Sequence, residues 1–140
     1  MYAAIEDLET RFGVDELEHL APAENDNESY DSAKLTAALG EASAEMNTFI
    51  AVVYALPLPS TPAFLKTVCC DIARYRLWDN SATEEVRNRY VDAVAWLKRL
   101  AKGEATLGLS REEQGSARVS VAVKRTAHDR NFTRESLKEF

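Results

Sequence analysis

Histidine and cysteine are scarce in this chain, with 2 of each among 140 residues, and that scarcity removes most of the chemistry a small domain could carry. His19 and His128 fall in different regions. No Ser-His-Asp, Cys-His or glycine-rich phosphate arrangement has workable spacing. Cys69 and Cys70 are adjacent, so on a helix their side chains diverge by about 100° and are not expected to form a disulfide with each other. Two thiols without nearby histidines also fall short of a tetrahedral metal site. Glu24, Asp26 and Glu28 alternate like the start of a calcium loop, yet the glycine and closing glutamate that such a loop needs are missing. The expectation is a non-enzymatic protein without a cofactor. No apolar run resembles a signal peptide or approaches the length of a bilayer span, so the chain is expected to be made in the cytosol and to avoid membranes.

Glycine and proline are also few, 5 and 4, and the hydrophobic fraction of 46% is enough for one core. Richness in Ala, Leu and Glu favours helices over strands. Three of the four prolines cluster in Pro57 to Pro62, where each ring removes a donor and restricts the residue before it. A turn is required there. Thr61 is placed to cap a new helix with Pro62 in its first position. Beyond it, Phe64, Leu65, Val68, Cys69, Ile72 and Ala73 form a face broad enough to be packed from two sides, leaving Lys66, Cys70 and Arg74 on the remaining surface. This is the expected central helix. Asp71 and Arg74, three apart, and Asp71 and Tyr75, four apart, are spaced for pairing along it. Arg74 and Arg76 flank Tyr75 and are alternatively free to contact a neighbouring subunit.

Before that helix, Ile5, Leu8 and Phe12 mark a first helix over residues 3–12 ended by Gly13, and Val14, Leu17 and Leu20 mark a second. Residues 22–30 read as an acidic loop. A long helix starts at Ser32, with Leu35, Leu39, Ala42, Met46, Phe49, Ile50 and Val53 on one stripe and Glu41 and Glu45 elsewhere. If it reaches Tyr54 it is about 34 Å long. After the central helix, Ser81 with Glu84 has capping-box spacing, and Thr83 competes as the cap. The last long helix, from about Glu84 to Ala101, faces Val86, Tyr90, Ala93, Val94, Leu97, Leu100 and Ala101 inward and Arg87, Arg89, Lys98 and Lys102 outward. The predicted fold is all-α: a small antiparallel bundle of three long helices plus short N-terminal ones over residues 1–103.

Residues 104–140 are expected to form an extended docking tail. Few anchors and two glycines make residues 104–117 a linker. Arg118 to Arg125 alternates, with Val119, Val121 and Val123 on one side, and reads as a candidate strand without a partner in its own sequence. Phe132 to Phe140 has Thr133 as a cap and Leu137 and Phe140 on a short apolar side, an anchor in form. Charge is divided as well. The net charge is -6, but residues 1–50 hold twelve acidic residues against Arg11 and Lys34, whereas residues 118–138 hold six basic against two acidic. An overall acidic balance argues against general attraction to nucleic acid or anionic membranes.

The opening MYAAIEDLETRFG, the PLP turn, CDIARYRLWDNSATEEVRNRYVDAVAWLKRLAKG and the closing FTRESLKEF together resemble the small head-tail joining proteins of Mu-like bacteriophages and prophages, in order and over nearly the whole chain. Two departures are Ala4, where a capping Thr or Ser is more usual, and Glu139, where glycine is common. The resemblance implies a connector, or adaptor, beneath the portal: a homo-oligomeric ring in the virion neck, with a monomer in solution left open, assembled in the host cytoplasm, through which DNA passes without sequence-specific binding. The expected partners are the portal protein, other neck and tail-joining proteins, and further copies of the chain. In this reading Arg118, Val119, Val121, Val123, Arg125, Phe132, Leu137 and Phe140 dock on the portal. Arg74, Arg76, Arg87 and Arg89 are candidates for subunit contacts, and Glu41 and Glu45 for the channel wall. The alternatives are a stopper or tail-completion protein one layer further down, or, in a different class, a small helical DNA-binding module.

Overall fold

A computed structural model of the chain describes residues 1–25 and 28–109. Five helices follow one another: α1 (Ile5–Phe12), α2 (Val14–Leu20), α3 (Ser32–Ile50), α4 (Ala63–Trp78) and α5 (Glu84–Ala101), with a 3₁₀ turn, Asp79–Ser81, before the last. The only β pairing among the described residues is an isolated bridge between Pro22 and Tyr30 that ties together the ends of the acidic loop. The fold is the expected helical bundle, with α4 at its centre: α3 and α5 pack on it and on each other, and α1 crosses from α3 to α4. Leu65, Val68 and Ile72 of α4 are buried with Leu35, Leu39, Met46 and Ile50 of α3 and with Leu97 and Leu100 of α5.

Local chemistry sets the helix ends. Asp31 accepts hydrogen bonds from the backbone N–H groups of Ala33 and Lys34 at the start of α3. Ala4 occupies the cap position of α1 without a side-chain acceptor, but the Asp7 carboxylate reaches back to the Ala4 N–H at 2.9 Å. Thr83, not Ser81, caps α5, accepting from the Val86 N–H. At its other end, Gly103 has φ +77°, its N–H bonds to the Leu100 carbonyl, and the Glu104 N–H bonds to that of Arg99. Those two bonds satisfy carbonyls the helix would otherwise leave bare.

Several expectations are corrected. α1 begins at Ile5, because the residues before it are tied to α3 instead: the Tyr2 N–H bonds to Ser43 Oγ at 3.2 Å, the Tyr2 hydroxyl bonds to Asn47, and Ala3 is buried. α3 stops at Ile50 rather than Tyr54, since the N–H groups of Val52 and Val53 bond three residues back, ahead of the proline turn. Pro62 occupies the cap position of α4 and its carbonyl accepts from Leu65; no Thr61 side chain caps the helix. Phe64 is 51% exposed, whereas Cys70 is fully buried. The centre of α4 is also met by α1, whose Asp7 and Arg11 lie near buried Cys70, while Phe64 stands in the first turn, half-exposed, against Trp96 of α5.

The chain past Gly103 does not lack anchors at its start. Leu107 and Leu109 are buried, and the Leu107 N–H donates to the hydroxyl of buried Tyr54 at 3.1 Å. The remainder of the expected linker, the candidate strand at Val119 to Val123 and the Phe132 to Phe140 anchor lie outside the described residues.

Candidate interaction surfaces

Most of the charged groups singled out on α4 are engaged within the bundle. Arg74 binds the Glu16 carboxylate of α2 through both Nε, at 2.6 Å, and Nη2, at 2.9 Å, a planar two-point contact that lysine cannot reproduce. The Trp78 indole N–H donates to the same carboxylate at 3.0 Å, and the Arg74 guanidinium lies over the Phe12 ring, 4.4 Å from its centre. Burial opposes ionisation of Glu16, but the hydrogen bonds from Arg74 and Trp78 outweigh it and hold its carboxyl below the usual range. Asp71 does not pair along its own helix. It binds Arg11 of α1 at 2.9 Å, and Arg11 also donates to Thr67.

Arg76 bridges to α3, binding Glu41 at 3.3 Å and Glu45 at 2.7 Å. The Tyr90 hydroxyl of α5 donates to Glu45 at 3.1 Å, and the Tyr90 ring stacks on Tyr75 with centres 4.2 Å apart. The hydrogen bond to Glu45 raises the Arg76 pKa above its ordinary value, and burial with the nearby Glu45 charge raises that of Tyr90. Of the two acids considered for a channel wall, Glu41 keeps its side chain 65% exposed, whereas that of Glu45 is 18% exposed. Arg89 pairs with Glu85 one turn away at 2.9 Å. Arg87 is exposed, with no side-chain partner among the described residues. Arg74 and Arg76 therefore hold helices together, while Arg87 and, in part, Arg89 face outward.

The cysteines are placed for packing. Burial pushes the Cys70 thiol up to about 12 and raises that of Cys69, whose sulfur lies 3.5 Å from Ser43 Oγ. Such thiols carry little thiolate at neutral pH. Among the described residues no three His, Cys, Asp or Glu side chains cluster to hold a metal ion, and no helix is long and apolar enough to cross a membrane.

Among the described residues, two of the concave surfaces are relevant. One, of about 420 Å³, lies between the N-terminus and the proline turn, lined by Met1, Tyr2, Asn47, Leu56, Leu58 and Thr61. The other, of about 370 Å³, runs between α4 and α5, with Thr67, Val68 and Asp71 on one side and Arg89, Trp96 and Arg99 on the other. Phe64 stands at its edge, packed edge-on against Trp96 with ring centres 4.8 Å apart. The sequence reading did not assign Trp96 or Arg99 to a surface. Their signal was present in the spacing of Arg89, Asp92, Trp96 and Arg99, which fall on a single stripe of α5.

Comparison with known proteins gives the chain its relatives. The family described as "Bacteriophage Mu, Gp36" matches residues 2–124. The chain is 38% identical over 114 residues to the Mu-like prophage FluMu protein gp36 of Haemophilus influenzae, covering 81% of this chain and 80% of that protein. It is 32% identical over 108 residues to gene product J of Escherichia phage Mu, covering 77% of each.

Proposed function

Since the chain belongs to the Bacteriophage Mu Gp36 family, we propose that this Mu-like phage protein is a structural component of the neck, a connector that forms a ring beneath the portal and lets DNA pass. The observation that carries this reading is the match of the Bacteriophage Mu, Gp36 family to residues 2–124, which takes in the bundle and most of the basic, alternating stretch after it. A small helical unit with its internal charges cross-linked is suited to the role, because a ring subunit has to keep its shape while its neighbours and the genome press on it.

Docking proceeds through the tail. Val119, Val121 and Val123 add as a strand to an edge of the portal, and Phe132, Leu137 and Phe140 anchor the end. Ordering a segment of this kind costs about 2–5 kcal/mol, and the multiplicity of a ring offsets it by making each later contact effectively intramolecular. Glu41, the more exposed of the two candidate channel acids, repels the phosphate backbone as DNA moves past.

Particles assembled without this chain test the proposal. Filled heads and finished tails should accumulate unjoined, with addition of the purified protein restoring joined particles. Tailed, infectious particles formed in its absence would overturn it. Heads that already hold a ring below the portal and lack only the next layer would move the protein to the stopper position.

A further inference from the structure

The groove between α4 and α5 opens at the end of the bundle where the described chain leaves it. Phe64, in the first turn of α4, packs edge-on against Trp96, near the end of α5. Among the described residues Phe64 is the one aromatic ring more than half exposed, at 51%. An uncovered aromatic at the edge of a concave, largely apolar surface marks a place where something docks. Just past Trp96, the carbonyl of Arg99, which also lines the groove, accepts from the Glu104 N–H, and Leu107 is tied to Tyr54 beyond the end of α3. Open ring and chain exit therefore share the end where α5 finishes and α4 begins. Two further lining residues, Asp92 and Arg99, have no side-chain partner among the described residues.

The sequence beyond Leu109 carries one segment of matching chemistry. In FTRESLKEF, Phe132 precedes the candidate cap Thr133 and Leu137 follows it by four, the spacing at which a residue before a helix cap meets one in the first turn; Phe140 comes three further on. Its charges balance, Arg134 and Lys138 against Glu135 and Glu139, as those of the groove do, Arg89 and Arg99 against Asp71 and Asp92. A flexible chain of the length of residues 110–131 spans about 26 Å, enough to return to the end of the bundle it left. We propose that Phe132, Leu137 and Phe140 seat in the α4–α5 groove of their own chain, against Phe64 and Trp96, before the protein joins a particle. Their own chain is favoured over a second copy because the connecting residues set an effective concentration of about 1 mM, well above that at which free copies meet. The seat stands by itself, whereas its release rests on the neck reading above, in which the same three residues dock on the portal. One segment cannot fill both sites. The groove thus holds the anchor until a portal edge takes up Val119, Val121 and Val123 as well.

Fluorine NMR of the purified full chain carrying 5-fluorotryptophan tests the seat, because the chain has 2 tryptophans, Trp78 and Trp96, and Trp96→Phe assigns their signals. Leu137→Ser with Phe140→Ser should move the Trp96 resonance and leave that of Trp78 in place, by the same displacement at micromolar and at millimolar protein. A Trp96 resonance indifferent to those substitutions would overturn the inference. So would a displacement that grows with concentration, which would put the tail of another copy in the groove. Release is read from the rate at which DNA-filled, tailless heads capture the chain. A seat with a Kd between about 1 and 0.1 mM is closed about one-half to nine-tenths of the time at that effective concentration, so Phe64→Ser should speed capture about two- to tenfold. Circular dichroism should not change with it, since Phe64 is exposed. An unchanged rate would overturn the holding role. A chain that heads do not capture, but whose Trp96 still answers to the tail, would overturn the neck reading and leave the seat; capture with no answer from Trp96 would do the reverse.

Discussion

At the scale of single residues, the strongest commitment in the structure is the carboxylate of Glu16, held by two nitrogens of Arg74 and by the Trp78 indole. Removing the guanidinium leaves a half-buried carboxylate with one donor. Arg74→Ala should therefore lose about 2 kcal/mol of stability, and Arg74→Lys, which keeps charge without the fork, about half as much, both read from denaturant midpoints. The pair also sets a pH dependence. The folded-state pKa of Glu16 is lowered from an ordinary value of 4.5, so the folded form binds fewer protons, and the pair's contribution is complete above that value and lost as pH falls through the lower, folded one. Glu16→Gln should be less stable than the wild type at pH 7, with the gap narrowing as the solution is acidified below about pH 4; a gap that stays constant would contradict this. None of these partnerships was legible in the chain. Asp71 and Arg74 have the spacing of an intrahelical pair, yet each finds its partner on another helix, some sixty positions away in sequence, because only packing decides which side chains meet. Cys70 was misread for the same reason: its helical position is set by periodicity, but the approach of α1 to that position is not.

At the scale of elements, the bundle was largely legible because each helix carries its own stripe and its own punctuation. Gly13, the proline turn, Thr83 and Gly103 all mark ends where the structure has them. What misled was the exact exit from α3, where the ladder tightens before Tyr54 leaves to meet Leu107. Residues 104–109 fell in a stretch expected to have few anchors because Leu107 and Leu109 are two isolated apolar positions without periodicity, and only packing against the bundle gives them a site. Two glycines allow a sharp element-level prediction. Gly103 has φ +77°, whereas Gly40 lies inside α3, and an added Cβ would meet nothing within 4 Å at either. Gly103→Ala should cost about 1 kcal/mol through backbone strain alone, while Gly40→Ala should gain about 0.5–1 kcal/mol through helix propensity. Thermal midpoints moving in opposite directions would bear this out; a shared direction would mean that one of the two helix environments is misassigned.

At the scale of the whole molecule, charge division was visible in the sequence as an acidic first half, but its full spatial form was not. The sequence placed the opposing cations in the tail, whereas α5 and its C-cap also expose Arg87, Arg89, Lys98, Arg99 and Lys102. The central claim, that the chain joins a phage head to what lies below it, is tested most directly by co-sedimentation with DNA-filled, tailless heads, comparing the full chain with one ending at Ala117. The full chain should be retained and the shortened one should not, since the proposed docking residues follow Ala117. Retention of both would keep the connector and move its binding surface into the helical bundle, whereas loss of both from the heads would contradict the claim.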